Sequence, residues 1–152
     1  NFNIIYKINN VFEMLEIQAD KKGITLFLDP TNKKINVKGD QEKIHQVLTN
    51  LIENSIKYGK DSGTTEVSVE DITDNKVIIR ITDNGNGIQK MHFNRLFERF
   101  YRIDNSGSRS SGGSGLGLAI VKHIIDAHNE KIYVESDFGI GSEFSFTLEK
   151  LN

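Results

Sequence analysis

The sequence contains no cysteine, a single proline, and no apolar run near the length of a membrane span or a signal-peptide core. The missing thiols exclude disulfides and thiolate metal sites, and fit a reducing compartment. Neither sign of charge dominates, since 19 Lys and Arg stand against 21 Asp and Glu for a formal charge of −2. Without a basic field, nucleic acid is not the natural partner. A polyanionic ligand would need local help from backbone amides, helix N-termini or a divalent cation. What is present is a 37% hydrophobic fraction over 152 residues, enough for one compact domain across residues 1–152. The chain opens at Asn1 directly in a helical pattern, as expected of a piece of something longer.

Hydrophobic periodicity predicts the elements. Ile4, Ile8, Val11, Leu15 and Ala19 recur at helical spacing with Phe12 on the same side, and Gly23 supplies a stop. Residues 24–28 and 35–37 read as short strands around the turn-prone Asp29, Pro30, Thr31 and Asn32. Asp40 is placed to cap a long helix to about Tyr58, with the apolar stripe Ile44, Val47, Leu48, Leu51 and Ile56. Residues 66–72 and 77–82 alternate as a hairpin turning near Asp74 and Asn75. A short helical stretch is expected over Phe93 to Phe100, then a mobile Ser/Gly/Asn/Arg segment from Asn105 to Ser114. A helix from Gly115 to His128, ended by Asn129 in a left-handed cap, precedes two closing strands at 132–135 and 143–148. The order predicts an α+β two-layer sandwich: a mixed, mostly antiparallel sheet of about five strands covered on one face by three helices.

Several segments carry chemistry. Asn50, Asn54, Lys57 and Tyr58 line one edge of the long helix, beside its apolar stripe. Amide oxygens one turn apart can reach a hard cation and its water shell, and a lysine one turn further can reach phosphate; the same pattern also suits an ordinary polar border of the core. Asp83, Asn84, Gly85, Asn86, Gly87 and Ile88 follow a strand, where glycines permit close backbone approach and a strand-end carboxylate can accept a hydrogen bond from an exocyclic amine. A plain tight turn has the same composition. Gly112 to Gly117 lead from a polar loop into an apolar helix, an anion site by virtue of exposed amides and the helix dipole. No strand precedes these glycines and no Gly-Lys-Ser/Thr follows, which disfavours a dinucleotide fold and a Walker loop. In Phe97-Glu98-Arg99-Phe100-Tyr101-Arg102, apolar anchors alternate with arginines able to reach a γ-phosphate or simply to decorate a short packed helix. His45, His92, His123 and His128 show no zinc spacing and read as structural or exposed.

In order along the chain, these segments resemble the catalytic domain of sensor histidine kinases, within the Bergerat-fold ATPases. Residues 46–58 resemble the asparagine box, 83–88 the first glycine box, 97–102 the phenylalanine box, 113–118 the second glycine box and 139–144 the last glycine segment. The resemblance implies binding of ATP and Mg²⁺ and transfer of the γ-phosphoryl group to a histidine on a separate helical domain, then to a response regulator receiver domain. It implies that Asp83 recognises the adenine amine, with Gly85, Gly87, Ile88 and Ser142 completing that pocket and Tyr58 near the base. Asn54 would hold the metal, Asn50 would sit beside it, and Lys57 would meet the phosphates. Gly113, Gly115, Leu116, Gly117 and Leu118 would wrap the triphosphate, with Arg99 or Arg102 approaching its end. The resemblance also implies a cytoplasmic domain of a bacterial parent anchored in the inner membrane, with no direct membrane contact of its own.

Two positions depart from the family pattern. The only proline, Pro30, has no histidine before it, so the acceptor segment, and the dimerisation domain that carries it, are not expected in this chain. Ser55 stands where alanine is usual. An ATP-hydrolysing relative of the gyrase or mismatch-repair type is the first alternative, yet it needs a glutamate where Asn50 stands, and a neutral amide is no base. An anti-sigma type serine kinase or a nucleotide-binding docking module is the other.

Overall fold

The computed structural model describes residues 1–30, 33–73, 75–101 and 117–151. Strand β1 (Phe2–Asn3) runs into helix α1 (Ile4–Lys21), followed by β2 (Thr25–Asp29), β3 (Asn36–Lys38) and α2 (Gln41–Lys57). The hairpin β4 (Thr64–Thr73) and β5 (Lys76–Asp83) leads to a 3₁₀ helix (Lys90–Arg95), then α3 (Gly117–Ala127), β6 (Ile132–Asp137) and β7 (Gly141–Lys150). The sheet therefore has seven strands in place of the expected five or so, ordered β1-β3-β7-β5-β4-β2 with β6 also paired to β7. The strand expected at residues 35–37 is β3, and the element that no pattern announced is β1, whose 2 residues are too few to leave a period-two signature. All pairings are antiparallel except β2 with β4. The helices lie on one face, as the pattern predicts.

Local chemistry explains the helix boundaries. The Asp40 carboxylate accepts from the amides of Glu42 and Lys43 at 3.1 and 3.2 Å, which satisfies two otherwise orphan donors of α2. Asn3 does the same for Ile5 at 3.1 Å at the start of α1. Asn129 takes φ +59°, the left-handed residue after α3. The helical stretch expected over 93–100 is instead a 3₁₀ helix over Lys90–Arg95 followed by turns, and Phe100 at φ +66° bars a helix from reaching its expected end.

Cross-strand register organises the inner face of the sheet into rows. Val69, Ile79, Phe146 and Ile132 form one row, and Val67, Ile81, Phe144 and Val134 the next. Side chains in register project to the same face, so these rows make an apolar floor against Ile44, Val47, Leu48 and Leu51 of α2 and Val121, Ile124 and Ile125 of α3. The third row is Thr65, Asp83, Ser142 and Ser136. It is entirely polar, and it ends the floor.

Candidate functional site

That polar row is buried unevenly. Thr65 is fully buried and Ser142 nearly so, while Asp83 and Ser136 are half-buried. Ser55, on the buried face of α2, donates its hydroxyl to the Ile52 carbonyl at 2.8 Å and lies 2.8 Å from the Thr65 hydroxyl. Since the Ser55 proton is committed to a carbonyl, Thr65 must donate to Ser55. The departure from alanine at position 55 thus bonds α2 to the first member of the row. Neither the Ser136 hydroxyl nor Thr65 was legible as a site residue from sequence, because both roles arise from register.

Asp83 occupies the middle of the row. One carboxylate oxygen accepts the Gly85 amide at 2.9 Å, and the backbone of Ser142 also bonds the carboxylate. Burial nevertheless raises its pKa above the ordinary aspartate value, outweighing those two amide bonds. The group is therefore a carboxylate short of solvation, with lone pairs remaining for a donor on a ligand. The first glycine turn packs against the end of α2. A Cβ on Gly85 would lie 2.4 Å from the Tyr58 carbonyl oxygen and 3.0 Å from an Asp83 oxygen, so no side chain fits. Gly87 adopts φ +72°, and a Cβ there would lie 2.2 Å from the Asp137 carbonyl oxygen.

Ser136 joins the two turns. It accepts the Ile88 amide at 2.7 Å, donates to the Gly141 carbonyl at 2.8 Å and lies 2.9 Å from the Ser142 hydroxyl. With its own proton on Gly141, Ser136 must accept from Ser142. The Gly139 amide also donates to the Asn86 carbonyl at 2.6 Å. Asp83, Gly85, Ile88 and Ser142 are thereby brought into one hydrogen-bonded group, with Gly87 packed beside it against the Asp137 backbone and Tyr58 at its edge through Asn86, whose amide reaches the Tyr58 carbonyl at 3.5 Å.

On α2, Asn50, Asn54 and Lys57 are all half-buried, at the margin of the apolar stripe. The Asn50 amide nitrogen donates to the Gly117 carbonyl at 3.3 Å, linking α2 to the first turn of α3. The Lys57 ammonium lies 5.3 Å from the Tyr58 ring centre. Gly117 is exposed, and Leu118 packs at the border of the core. Arg99 lies with its guanidinium 5.7 Å from the exposed Phe100 ring. Arg102, Gly113, Gly115 and Leu116 lie outside the described residues, as does the segment Asn105 to Ser114.

The phenylalanine segment is anchored by contacts that its sequence does not announce. Phe97 meets Phe144 edge-on at 6.4 Å, the Arg95 guanidinium lies 4.5 Å from the Tyr101 ring, and buried His92 bonds through Nδ1 to the Tyr101 hydroxyl. The remaining histidines are also structural or exposed. His128 Nδ1 bonds the Ile124 carbonyl at 2.8 Å while Nε2 accepts the Asp40 amide at 3.0 Å, tying α3 to the cap of α2. His45 keeps a buried Nδ1 without a partner, and burial followed by nearby Lys7 lowers its pKa.

Comparison with known proteins agrees with this geometry. The pattern of the histidine kinase-, DNA gyrase B- and HSP90-like ATPases matches residues 39–152. The chain is 36% identical over 97% of its length to the hybrid signal transduction histidine kinase B of Dictyostelium discoideum, and 38% identical over 97% to the sensor protein kinase WalK of Staphylococcus aureus. It spans 8% and 35% of those two proteins. The solved catalytic domain of histidine kinase ThkA superposes with a TM-score of 0.81 at 29% identity, covering 98% of this chain and 93% of that one. Full-length ShkA in complex with AMPPNP superposes at 0.85 with 26% identity, over 98% of this chain and 31% of that one. ThkA in complex with the response regulator TrrA superposes at 0.77 with 27% identity, over 99% and 41%. With three quarters of its residues inside the family pattern and the same fold around the polar row, the chain belongs to the histidine kinase-, DNA gyrase B- and HSP90-like ATPases.

Proposed function

We propose that this chain is the ATP-binding catalytic unit of a sensor histidine kinase, acting on a histidine held by a separate helical domain. The observation that carries the reading is the polar row: a half-buried carboxylate, lacking a cation among the described residues, stands where the glycine turn, the end of α2 and the last hairpin meet. The residues present fit a magnesium nucleotide. Asp83 accepts the amine of adenine, Gly85 and Gly87 let the turn that bears it pack closely on the end of α2 and the last hairpin, Ile88 borders the base, and Ser142 sits beside Asp83 in register. Tyr58 borders the base, Asn54 supplies an amide oxygen to Mg²⁺, and Asn50 and Lys57 flank the phosphates. Gly113, Gly115, Leu116, Gly117 and Leu118 wrap the phosphate tail from the start of α3, and Arg99 or Arg102 neutralises its far end.

When bound, the magnesium ion supplies charge neutralisation to the departing phosphates. The chain's own residues bind and orient; none is asked to form a covalent bond. Asn50 is an amide, which cannot activate water, so transfer to a supplied histidine is favoured over hydrolysis. The bound AMPPNP of ShkA supports the nucleotide, and the ThkA complex supports a response regulator as the downstream partner. We place the unit in the cytoplasm of a membrane-anchored parent; among the described residues no helix is long and apolar enough to cross a membrane.

The test mixes the chain with a histidine-bearing helical domain and labelled ATP. Label should accumulate on the added domain only with Mg²⁺ present, and Asn54→Ala should lower the rate about tenfold or more by removing a metal contact. Stable label on the chain itself at comparable yield would contradict the reading.

A further inference from the structure

Residue Lys22 follows α1, distant in sequence from every segment of the candidate site. Its ammonium donates to three backbone carbonyls at the end of α2: Ile56 at 3.0 Å, Lys57 at 2.9 Å and Gly59 at 2.8 Å. An ammonium has three hydrogens, so its donor capacity is fully used there. The Ile56 and Lys57 carbonyls belong to the last turn of α2, at the negative end of the helix dipole where intrahelical donors run out, and Gly59 follows the C-cap Tyr58. The backbone of Lys22 holds the same segment again, since its carbonyl accepts the Ser62 amide at 2.7 Å.

The other side of this segment faces the first glycine turn. The Tyr58 carbonyl accepts the Asn86 amide at 3.5 Å and leaves no room for a side chain at Gly85. The end of α2 is thus clamped between Lys22 and the turn that follows Asp83. Without the ammonium, the Lys57 and Gly59 carbonyls would turn toward water, the Ile56 carbonyl would keep only the Gly59 amide at 3.3 Å, and the segment bearing Tyr58 would move relative to the turn.

We infer that Lys22 is a positioning residue for the nucleotide site, holding the last turn of α2 so that Asn54, Lys57 and Tyr58 keep their register against the Asp83 turn. The inference rests on the nucleotide reading above. It differs from a merely stabilising role in its consequence, because affinity depends on the placement of the α2 terminus and not only on how much chain is folded.

The experiment uses the whole 152-residue chain. Affinity for Mg²⁺-ADP is measured by calorimetry at a temperature where circular dichroism shows each variant folded, and amide exchange is followed by mass spectrometry. Lys22→Met should weaken ADP binding about tenfold, the scale of a lost charge-assisted hydrogen bond. It should also speed exchange across residues 56–62 while leaving the β4–β5 hairpin unchanged. Lys22→Gln keeps two donors without the charge and should fall between the two; it carries the test if the methionine variant does not fold. Unchanged affinity in the folded variants would overturn the inference, as would weakened affinity with unaltered exchange across 56–62. Failure of the unmodified chain to bind ADP would instead overturn the nucleotide reading, and the inference with it.

Discussion

Two carboxylates withdrawn from water, Glu130 and Asp83, receive opposite treatment. Glu130 is 8% exposed and fully served: one oxygen meets the Lys76 ammonium and the other accepts the Thr147 hydroxyl at 2.8 Å. Thr147 in turn accepts the Lys131 amide at 3.1 Å, so this cluster fastens the α3–β6 connection to β7. Asp83 has backbone amides and no cation partner among the described residues, and burial pushes its pKa up. A buried charge with its counter-charge in place is architecture. One left with lone pairs and an incomplete solvation shell is set for a ligand that brings the missing donors.

The contrast can be broken from either side. The largest effect is expected for Asp83→Asn, which should weaken Mg²⁺-ADP binding by roughly thirtyfold, about 2 kcal/mol, by exchanging an acceptor for a donor. The same substitution should leave the melting temperature of the ligand-free chain unchanged or higher, since it relieves an under-solvated charge; calorimetry and thermal denaturation report the two arms. A clear fall in ligand-free stability would make Asp83 a structural residue.

Lys76→Met is the mirror experiment. It strands the Glu130 carboxylate and should cost about 2 kcal/mol, below the usual range for a fully buried pair because Lys76 is partly exposed. For a chain of this size that lowers the melting temperature by about 6 °C, with ADP affinity unchanged. Weakened ADP binding at full stability would erase the distinction between the two carboxylates.

A smaller effect sharpens the contrast by pH. The folded-state pKa of Asp83 is raised, so its carboxyl takes up a proton at a higher pH than an ordinary aspartate. ADP affinity should therefore decline as pH falls from neutrality, beginning above the ordinary carboxylate range, and Asp83→Asn should lack that component. Stability runs the other way: a raised carboxyl pKa contributes stability fully present below the unfolded value and lost as pH rises through the folded one. The ligand-free advantage of Asp83→Asn should accordingly shrink toward acid.

Much of the fold was legible because its long elements carry local signals. The stripe Ile44, Val47, Leu48, Leu51 and Ile56 is buried as its spacing predicts, Asp40 caps α2, and Asn129 takes the left-handed turn. The alternation of residues 77–82 is that of a strand with one face on the core, although β4 and β5 extend beyond it at both ends. Phe2–Asn3 escaped notice because two residues have no period. Asp83 and the glycine turns could be picked out by composition, whereas Ser136, Thr65, Lys22 and the His92–Tyr101 bond could not, since each acts across the chain and has an unremarkable sequence neighbourhood.

By itself, then, the order of residues determined most of the long helices and strands and supplied the side chains suited to the proposed nucleotide, since periodicity, caps and functional groups are local properties. Tertiary structure alone decided the rest. Strand register set Thr65, Asp83, Ser142 and Ser136 in one row, and packing brought an ammonium from the end of α1 onto the carbonyls of α2. Both depend on pairing between residues far apart in sequence, where no local preference specifies the partner and only the closing of a common core does.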